Sequence, residues 1–395
     1  MSAQNPVFIP GPTNMPEALR LACHIPTMDH RSPAFADILH PCLEGVRDVL
    51  KSRDAKIFLY PATGTGGWEV ALSNTLSPGD KVLAGRNGMF SDRWIDMCRR
   101  HGLDVQVIEV PWGEGMPVDG FEEALRADTD HAIKAVLATH NETATGVTSD
   151  IAGVRRAIDA AGHPALFLVD GVSSIGSIDF RFDDWGVDIA VTGSQKGFML
   201  PAGLAILGFS EKALGAAETA ALPRTYFDIR DMIKGYANNS FPYTPPVGLM
   251  NALKLSCEML LSEGLDNVFA RHHRIAEGVR SAVGAWGMEL CAKSPDLYSD
   301  TVSAIRTPQG FNATDVVTVA ARDYGMAFGV GLGDVAGKVF RIGHLGSLTD
   351  AMMLSGLGVA EMVMVDLGLP VKLGSGVAAA QETYRHGRDA KRAAA

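Results

Sequence analysis

From Lys56 onward the chain alternates short apolar runs with longer stretches in which apolar residues recur every three to four positions. The runs at Lys56–Ala62, Lys81–Ala84, Val105–Val110, Ala135–Thr139, Ala165–Asp170, Val187–Thr192 and Leu204–Phe209 predict buried strands. Trp68–Thr75, Ser91–His101, Phe121–Ala127 and Ile151–Ala161 predict amphipathic helices between them. Such alternation implies an α/β fold whose mostly parallel, seven-stranded sheet carries helices on both faces. Only a loop joins the last two strands, so that connection departs from the rest. Residues 220–250, with Pro223, Pro242, Pro245 and Pro246, read as a long irregular connection. Leu249–Glu263 and Leu265–Ala285 then read as helices, followed by mixed strands and helices with glycine-rich turns. The pattern divides the chain near 255, into a large domain of residues 1–255, which takes in the N-terminal segment 1–20, and a smaller α+β domain of residues 256–395. The alanine-rich end beyond about 380 is expected to be a frayed tail.

Composition narrows the possibilities. A hydrophobic share of 47% over 395 residues supports a sizeable core and argues against disorder. The formal net charge of −10 disfavours a nucleic-acid or anionic-membrane partner, so any anionic ligand must be held by a few local donors. The five cysteines are scattered, with no C-x-x-C pair and no Cys/His cluster, which points to neither a disulfide framework nor a metal site. Met1–Pro12 has no basic and apolar pattern of a signal peptide, and no apolar run approaches the roughly 18 residues of a membrane span. The expectation is a cytoplasmic protein.

Four features could carry chemistry. Thr63-Gly-Thr-Gly-Gly-Trp-Glu69 follows a strand and opens a helix, where glycines and free N–H groups suit an anion such as phosphate. A tight strand–helix turn is the plainer reading, and a dinucleotide fingerprint fails because Glu69 stands where the third glycine belongs. Asp170 closes an apolar strand, either capping the next turn or facing a ring N–H cation. Lys196, in Ser194-Gln-Lys-Gly197, lies between two apolar strands, which favours a desolvated, nucleophilic amine over the usual solvated lysine. Arg341, in Val339-Phe-Arg-Ile-Gly-His344, is either half of a structural ion pair or a fork for a ligand carboxylate.

Together these strings resemble the class V aminotransferases of the fold-type I superfamily, which depend on pyridoxal 5′-phosphate (PLP), from Phe8-Ile-Pro-Gly-Pro-Thr-Asn14 to beyond Arg341. Thr63–Glu69, Thr139–Val147, Val169–Ser177, Gly193–Gly197, Pro242–Pro246 and Phe340–His344 are similar to the strings of the glyoxylate aminotransferase branch. The resemblance implies that Lys196 is the Schiff-base lysine and proton shuttle and that Asp170 partners the pyridine nitrogen. It further implies that Thr65, Gly66, Gly67 and Gln195 hold the phosphate, that Phe90 stacks on the ring, and that Thr143 bonds the phenolic oxygen. Tyr243 and Thr244 would reach the phosphate of a neighbouring subunit, making the chain a homodimer, and Arg341 would clamp the substrate α-carboxylate. No metal is implied, and His140 is read as a packed side chain.

The implied reaction is ping-pong transamination from an L-amino acid to glyoxylate, giving glycine and the oxo acid. Arg86–Phe90 and Pro245–Leu249 are more similar to bacterial aspartate–glyoxylate than to serine–glyoxylate enzymes, so aspartate is the favoured donor, serine the next and alanine behind. Two alternatives compete. A class V lyase or desulfurase would need a thiol near the site, and Cys291 reads as part of a strand; a nicotinamide dehydrogenase would need the fingerprint that Glu69 breaks.

Overall fold

The seven expected strands all join one sheet, in the order Lys56–Tyr60, Ala205–Phe209, Ile189–Gly193, Leu166–Asp170, Ile133–Thr139, Lys81–Arg86 and Asp104–Glu109. The computed structural model describes residues 5–393, with side chains through residue 386. Five neighbouring strands run parallel, and Ala205–Phe209 runs antiparallel to both of its neighbours. That reversal follows from the loop before it, because a parallel return would need a crossover of a dozen or more residues. Strands Leu166–Asp170, Ile189–Gly193 and Ala205–Phe209 are buried at every position, as expected where helices cover both faces. Two of the covering helices start where the sequence supplies a side-chain acceptor. Asp150 takes the Gly153 N–H ahead of Ile151–Ala160, and Ser210 takes that of Ala213 ahead of Glu211–Thr219.

A second sheet of five strands has the order Val7–Phe8, Ala327–Val330, Val339–Gly343, Val302–Arg306 and Glu289–Leu290. Its core is separate from that of the first sheet: one hydrophobic cluster runs from Leu19 to Val268, and another gathers Ile275 onward together with Phe8. The expected boundary at 255 therefore falls inside the helix Val247–Glu263, whose Leu253, Cys257 and Leu260 pack into the first cluster. The N-terminal segment reaches across to the second sheet, since Val7 and Phe8 pair in parallel with Ala327 and Phe328.

Two local expectations are corrected. Residues 220–250 are not irregular throughout, because Asp228 accepts from the Arg230 N–H and starts the helix Ile229–Ala237. Buried Ile229, Met232 and Tyr236 form one helical stripe, and the Tyr236 hydroxyl accepts from the Leu59 N–H at 3.1 Å. The C-terminus is a helix, Ser375–Ala393, rather than a frayed tail; Ala380 and Tyr384 are buried against Leu265–Ala285, and the Tyr384 hydroxyl donates to the Ile275 carbonyl. Only the last two residues of that expectation lie outside those described.

One buried histidine ties the long helix Leu265–Ala285 to the loop after Arg341. His272 faces the Val268 carbonyl with Nδ1 at 2.7 Å and accepts from the Gly346 N–H with Nε2 at 3.0 Å. Those partners require the neutral ring, and burial pushes its pKa down to about 4. The unfolded chain takes up this proton near pH 6.5, so the stability due to His272 is complete above that pH and drains away as pH falls towards 4. Asp170 and Glu142, raised by burial, act in the opposite sense, so the comparison must be between variants. His272→Gln should flatten the fall of unfolding free energy between pH 6.5 and 4 by up to roughly 1.4 kcal/mol per pH unit. Denaturant titrations at several pH values check this, and parallel pH profiles for wild type and variant would refute it.

Candidate active site

Asp170 ends the strand Leu166–Asp170, and Lys196 follows its parallel neighbour Ile189–Gly193. Both therefore stand at the carboxyl edge of the large sheet, where open α/β sheets bind ligands. They line a cavity of about 320 Å³ together with Thr63, Gly64, Thr65, Phe90, Thr143 and Gln195. A second cavity of about 280 Å³ shares Gly11, Phe90, Thr143 and Lys196 with the first and is lined in addition by Arg341. Larger hollows between Asp350–Asp366 and Ser375–Ala393, and beside Cys291, contain neither Lys196 nor Asp170.

Both titrating groups are held out of water. Asp170 is 4% exposed, and burial pushes its carboxyl up to about 7. The Val172 N–H, donating to Oδ1 at 2.9 Å, works against that rise, the negative charge of Glu142 adds to it, and Lys196 opposes it. Asp170 thus caps its turn and also presents a carboxylate to the cavity. Burial takes Lys196 down to about 8, with the Arg341 charge helping and Asp170 opposing. Its Nζ donates to the Pro10 carbonyl, while its own carbonyl accepts from the Met199 N–H and the Thr13 hydroxyl. Met199 sits in the left-handed region, at φ 58°, a strained conformation in the turn that presents the lysine. Across the amine, Gly11 leaves no room for a side chain: a Cβ there would lie 2.7 Å from Nζ.

The expected phosphate cradle is the start of the helix Gly64–Thr75, entered from an extended Thr63. The Gly67 N–H already bonds the Thr63 carbonyl at 3.0 Å, leaving the N–H groups of Gly64, Thr65 and Gly66 ahead of that first helical bond. Gly67 has a packing task instead, because a Cβ there would come within 2.6 Å of Val191 Cγ1. The buried Gln195 Oε1 has no hydrogen-bond partner among the described residues. Phe90 and Thr143 line both cavities, and the Thr143 hydroxyl donates to Ser173 Oγ at 2.8 Å.

Arg341 is fixed by two carbonyls, Nε to Val330 at 2.8 Å and Nη1 to Thr143 at 3.0 Å. Among the described residues it forms no ion pair, and burial lowers its pKa to about 10, which still leaves it charged at neutral pH. Its buried positive charge thus lacks the structural partner that the sequence left open. Tyr243 and Thr244 enter neither cavity of their own chain; Tyr243 stacks on Tyr226 at 4.7 Å and bonds the Thr225 carbonyl, and Thr244 is exposed. His140 is packed against Trp185 and Phe180 and meets Ser174 Oγ at 2.9 Å. Cys291 is buried outside both cavities, its sulfur facing Arg306. Sequence reasoning missed Pro10, Gly11, Ser173 and Glu142; the strings Phe8–Asn14, Thr139–Val147 and Val169–Ser177 contain them, but nothing local to them reports proximity to Lys196.

The Aminotransferase class-V family model matches residues 21–336. The chain belongs to the class V aminotransferases. Members of this family use PLP. The chain is 72% identical to the L-aspartate–glyoxylate aminotransferase of Paracoccus denitrificans, over 98% of this chain and 97% of that protein. It is 53% identical to the serine–glyoxylate aminotransferase of Hyphomicrobium methylovorum, over 96% and 94%. Among solved structures, pyridoxamine–pyruvate aminotransferase from Mesorhizobium loti superposes with a TM-score of 0.90 at 28% identity, over 97% and 98% of the two chains. Among the described residues no helix is long and apolar enough to cross a membrane. The lining of the first cavity fits PLP: a helix start whose N–H groups suit phosphate, the Gln195 amide beside it, a desolvated carboxylate and a desolvated amine.

The lowered pKa of Lys196 is directly measurable. In cofactor-free protein its labelling by an amine-specific reagent should rise with a midpoint near pH 8, below the roughly 10.4 of exposed lysines. Peptide mapping of labelled Lys196 across pH 6–11 checks this, and a midpoint at the ordinary lysine value would show that the amine is hydrated.

Proposed function

We propose that this PLP-dependent aminotransferase moves the amino group of L-aspartate to glyoxylate, leaving glycine and the oxo acid. The observation carrying this reading is a pair of cavities with shared walls, in which Lys196 lines both, Asp170 the first and Arg341 the second. The donor and acceptor rest on the 72% identity to the aspartate–glyoxylate relative. Serine is the second donor to test, because serine–glyoxylate relatives are 52–53% identical over almost the whole chain.

Bound PLP supplies an electron sink that makes the α-proton of an amino acid removable. In our reading the chain's residues do the rest. Lys196 Nζ, its proton affinity lowered by burial, would hold the cofactor and then carry a proton from and to the reacting carbons. Asp170 would accept the cofactor's ring N–H, a cationic partner that would favour the ionised carboxylate over the neutral form that burial favours. Gly64, Thr65, Gly66 and Gln195 would hold the phosphate, and Phe90, which lines the same cavity, would pack against the ring. Arg341, already oriented by two carbonyls, presents its remaining N–H groups to the substrate α-carboxylate. Residues up to about 255 then provide the cofactor site, and the remainder contributes the carboxylate clamp.

A donor panel against glyoxylate tests the assignment. Aspartate should give the highest kcat/KM, and Arg341→Lys should reduce kcat/KM for donor and acceptor by about 30- to 5,000-fold, with PLP content unchanged. A single ammonium cannot reproduce two parallel hydrogen bonds. A preference for serine would reassign the donor, and unaltered kinetics in Arg341→Lys would move the carboxylate site elsewhere.

The same reading makes the chain a cytoplasmic homodimer in which Tyr243 and Thr244 serve the neighbouring site. It is supported by their position outside both cavities of their own chain. Mixing Lys196→Ala subunits with Tyr243→Phe/Thr244→Ala subunits should restore activity as exchange proceeds. No recovery, with exchange shown independently, would mean that one chain builds each site.

A further inference from the structure

Glu142 is a fully buried carboxylate that none of the roles above uses. It lies in the short strand Asn141–Glu142, immediately before Thr143. Its Oε2 accepts from the backbone N–H groups of Phe90 at 3.0 Å and Ser91 at 3.1 Å, and its Oε1 accepts from that of Ala144 at 3.0 Å. The helix Met89–Arg100 begins after Gly88, which has no side chain to cap it. A carboxylate distant in sequence supplies the missing acceptor, at the positive end of the helix, where an anion is favoured.

The fit is close. Gly88 has an extended backbone, so its conformation demands no glycine, yet a Cβ there would lie 2.3 Å from Glu142 Cγ. The space of a side chain at 88 is taken by Glu142. Both segments that the carboxylate joins end in the cavities: Phe90 and Thr143 line the two of them, and the Thr143 carbonyl is one of the two anchors of Arg341. Displacing one carboxylate therefore moves an aromatic wall, a hydroxyl and the carbonyl that aims the guanidinium.

We infer that Glu142 is a positioning residue for the PLP reaction, clamping the Phe90 helix start to the Thr143 turn so that the cofactor and substrate cavities keep their shared walls. The inference rests on the aminotransferase reading above. An amide cannot substitute, since it replaces one acceptor oxygen with a donor that opposes the N–H groups.

Two variants disturb the clamp by different routes. Glu142→Gln removes an acceptor, and Gly88→Ala leaves the carboxylate intact but pushes it aside. In cofactor-free protein, amide exchange at Phe90, Ser91 and Ala144 should accelerate in both, while the strand Leu166–Asp170 stays protected. The Kd for PLP, read from quenching of the cavity tryptophan Trp68, should weaken by about 10- to 100-fold in both. With PLP saturating, KM for the amino donor should rise as Arg341 loses its aim. A merely structural role would lower Tm and leave Kd and KM within about twofold of wild type, which would overturn the inference, as would failure of both variants to fold. If wild-type protein itself does not bind PLP, the aminotransferase reading fails instead, independently of Glu142.

Discussion

Everything at the carboxyl edge of the large sheet depends on keeping the Lys196 amine out of water. A solvated lysine is protonated at neutral pH and is no nucleophile; burial brings this one down to about 8. The same exclusion raises Asp170 to about 7, so one physical cause moves both groups towards neutrality from opposite directions. Three positive and negative charges share the space, Lys196, Asp170 and Arg341, with Glu142 behind them. Each alters the others through a medium that screens poorly.

The exclusion of water is not a property of the large sheet alone. The N-terminal strap does it, with Val7–Phe8 paired to the second sheet, Pro10 over the amine and Thr13 on the lysine carbonyl. Asn14 locks the strap by exchanging two hydrogen bonds with the Val7 backbone, at 2.8 and 2.9 Å. Arg341 reaches the same space from the second sheet. Its strand neighbour Gly329 keeps clear of it, since a Cβ there would approach Arg341 Cβ to 3.1 Å. The site is therefore a junction of two separately packed cores, and its walls move if either shifts.

Local pattern went far for this chain. The seven strands and the helices between them were legible because burial on two faces leaves continuous apolar runs and burial on one leaves a 3.6-residue period. Asp170, Lys196 and the Thr63–Glu69 turn were legible because strand ends and glycine-rich helix starts have fixed places in such a sheet. The helix Ile229–Ala237 was hidden by flanking prolines, although Asp228 and the Ile229–Met232–Tyr236 stripe were its signals. The C-terminal helix was obscured by alanine-rich composition, which says nothing of the burial that Tyr384 supplies.

The sequence by itself determined which side chains could do imine and carboxylate chemistry and which sheet edge would present them, because the direction of a strand and the chemistry of the turn after it are local. It did not determine that Gly67 packs while its neighbours precede the first helical bond, that Pro10 meets the amine, or that Glu142 caps a helix far from it in the chain. Those contacts join residues remote in sequence, and only tertiary packing brings them within hydrogen-bond range. The choice between a structural ion pair and a free clamp at Arg341 was likewise left open by its apolar neighbours. The fold answers the ion-pair half of that choice: it places two carbonyls and a cavity around the guanidinium, with no carboxylate among the described residues close enough to pair.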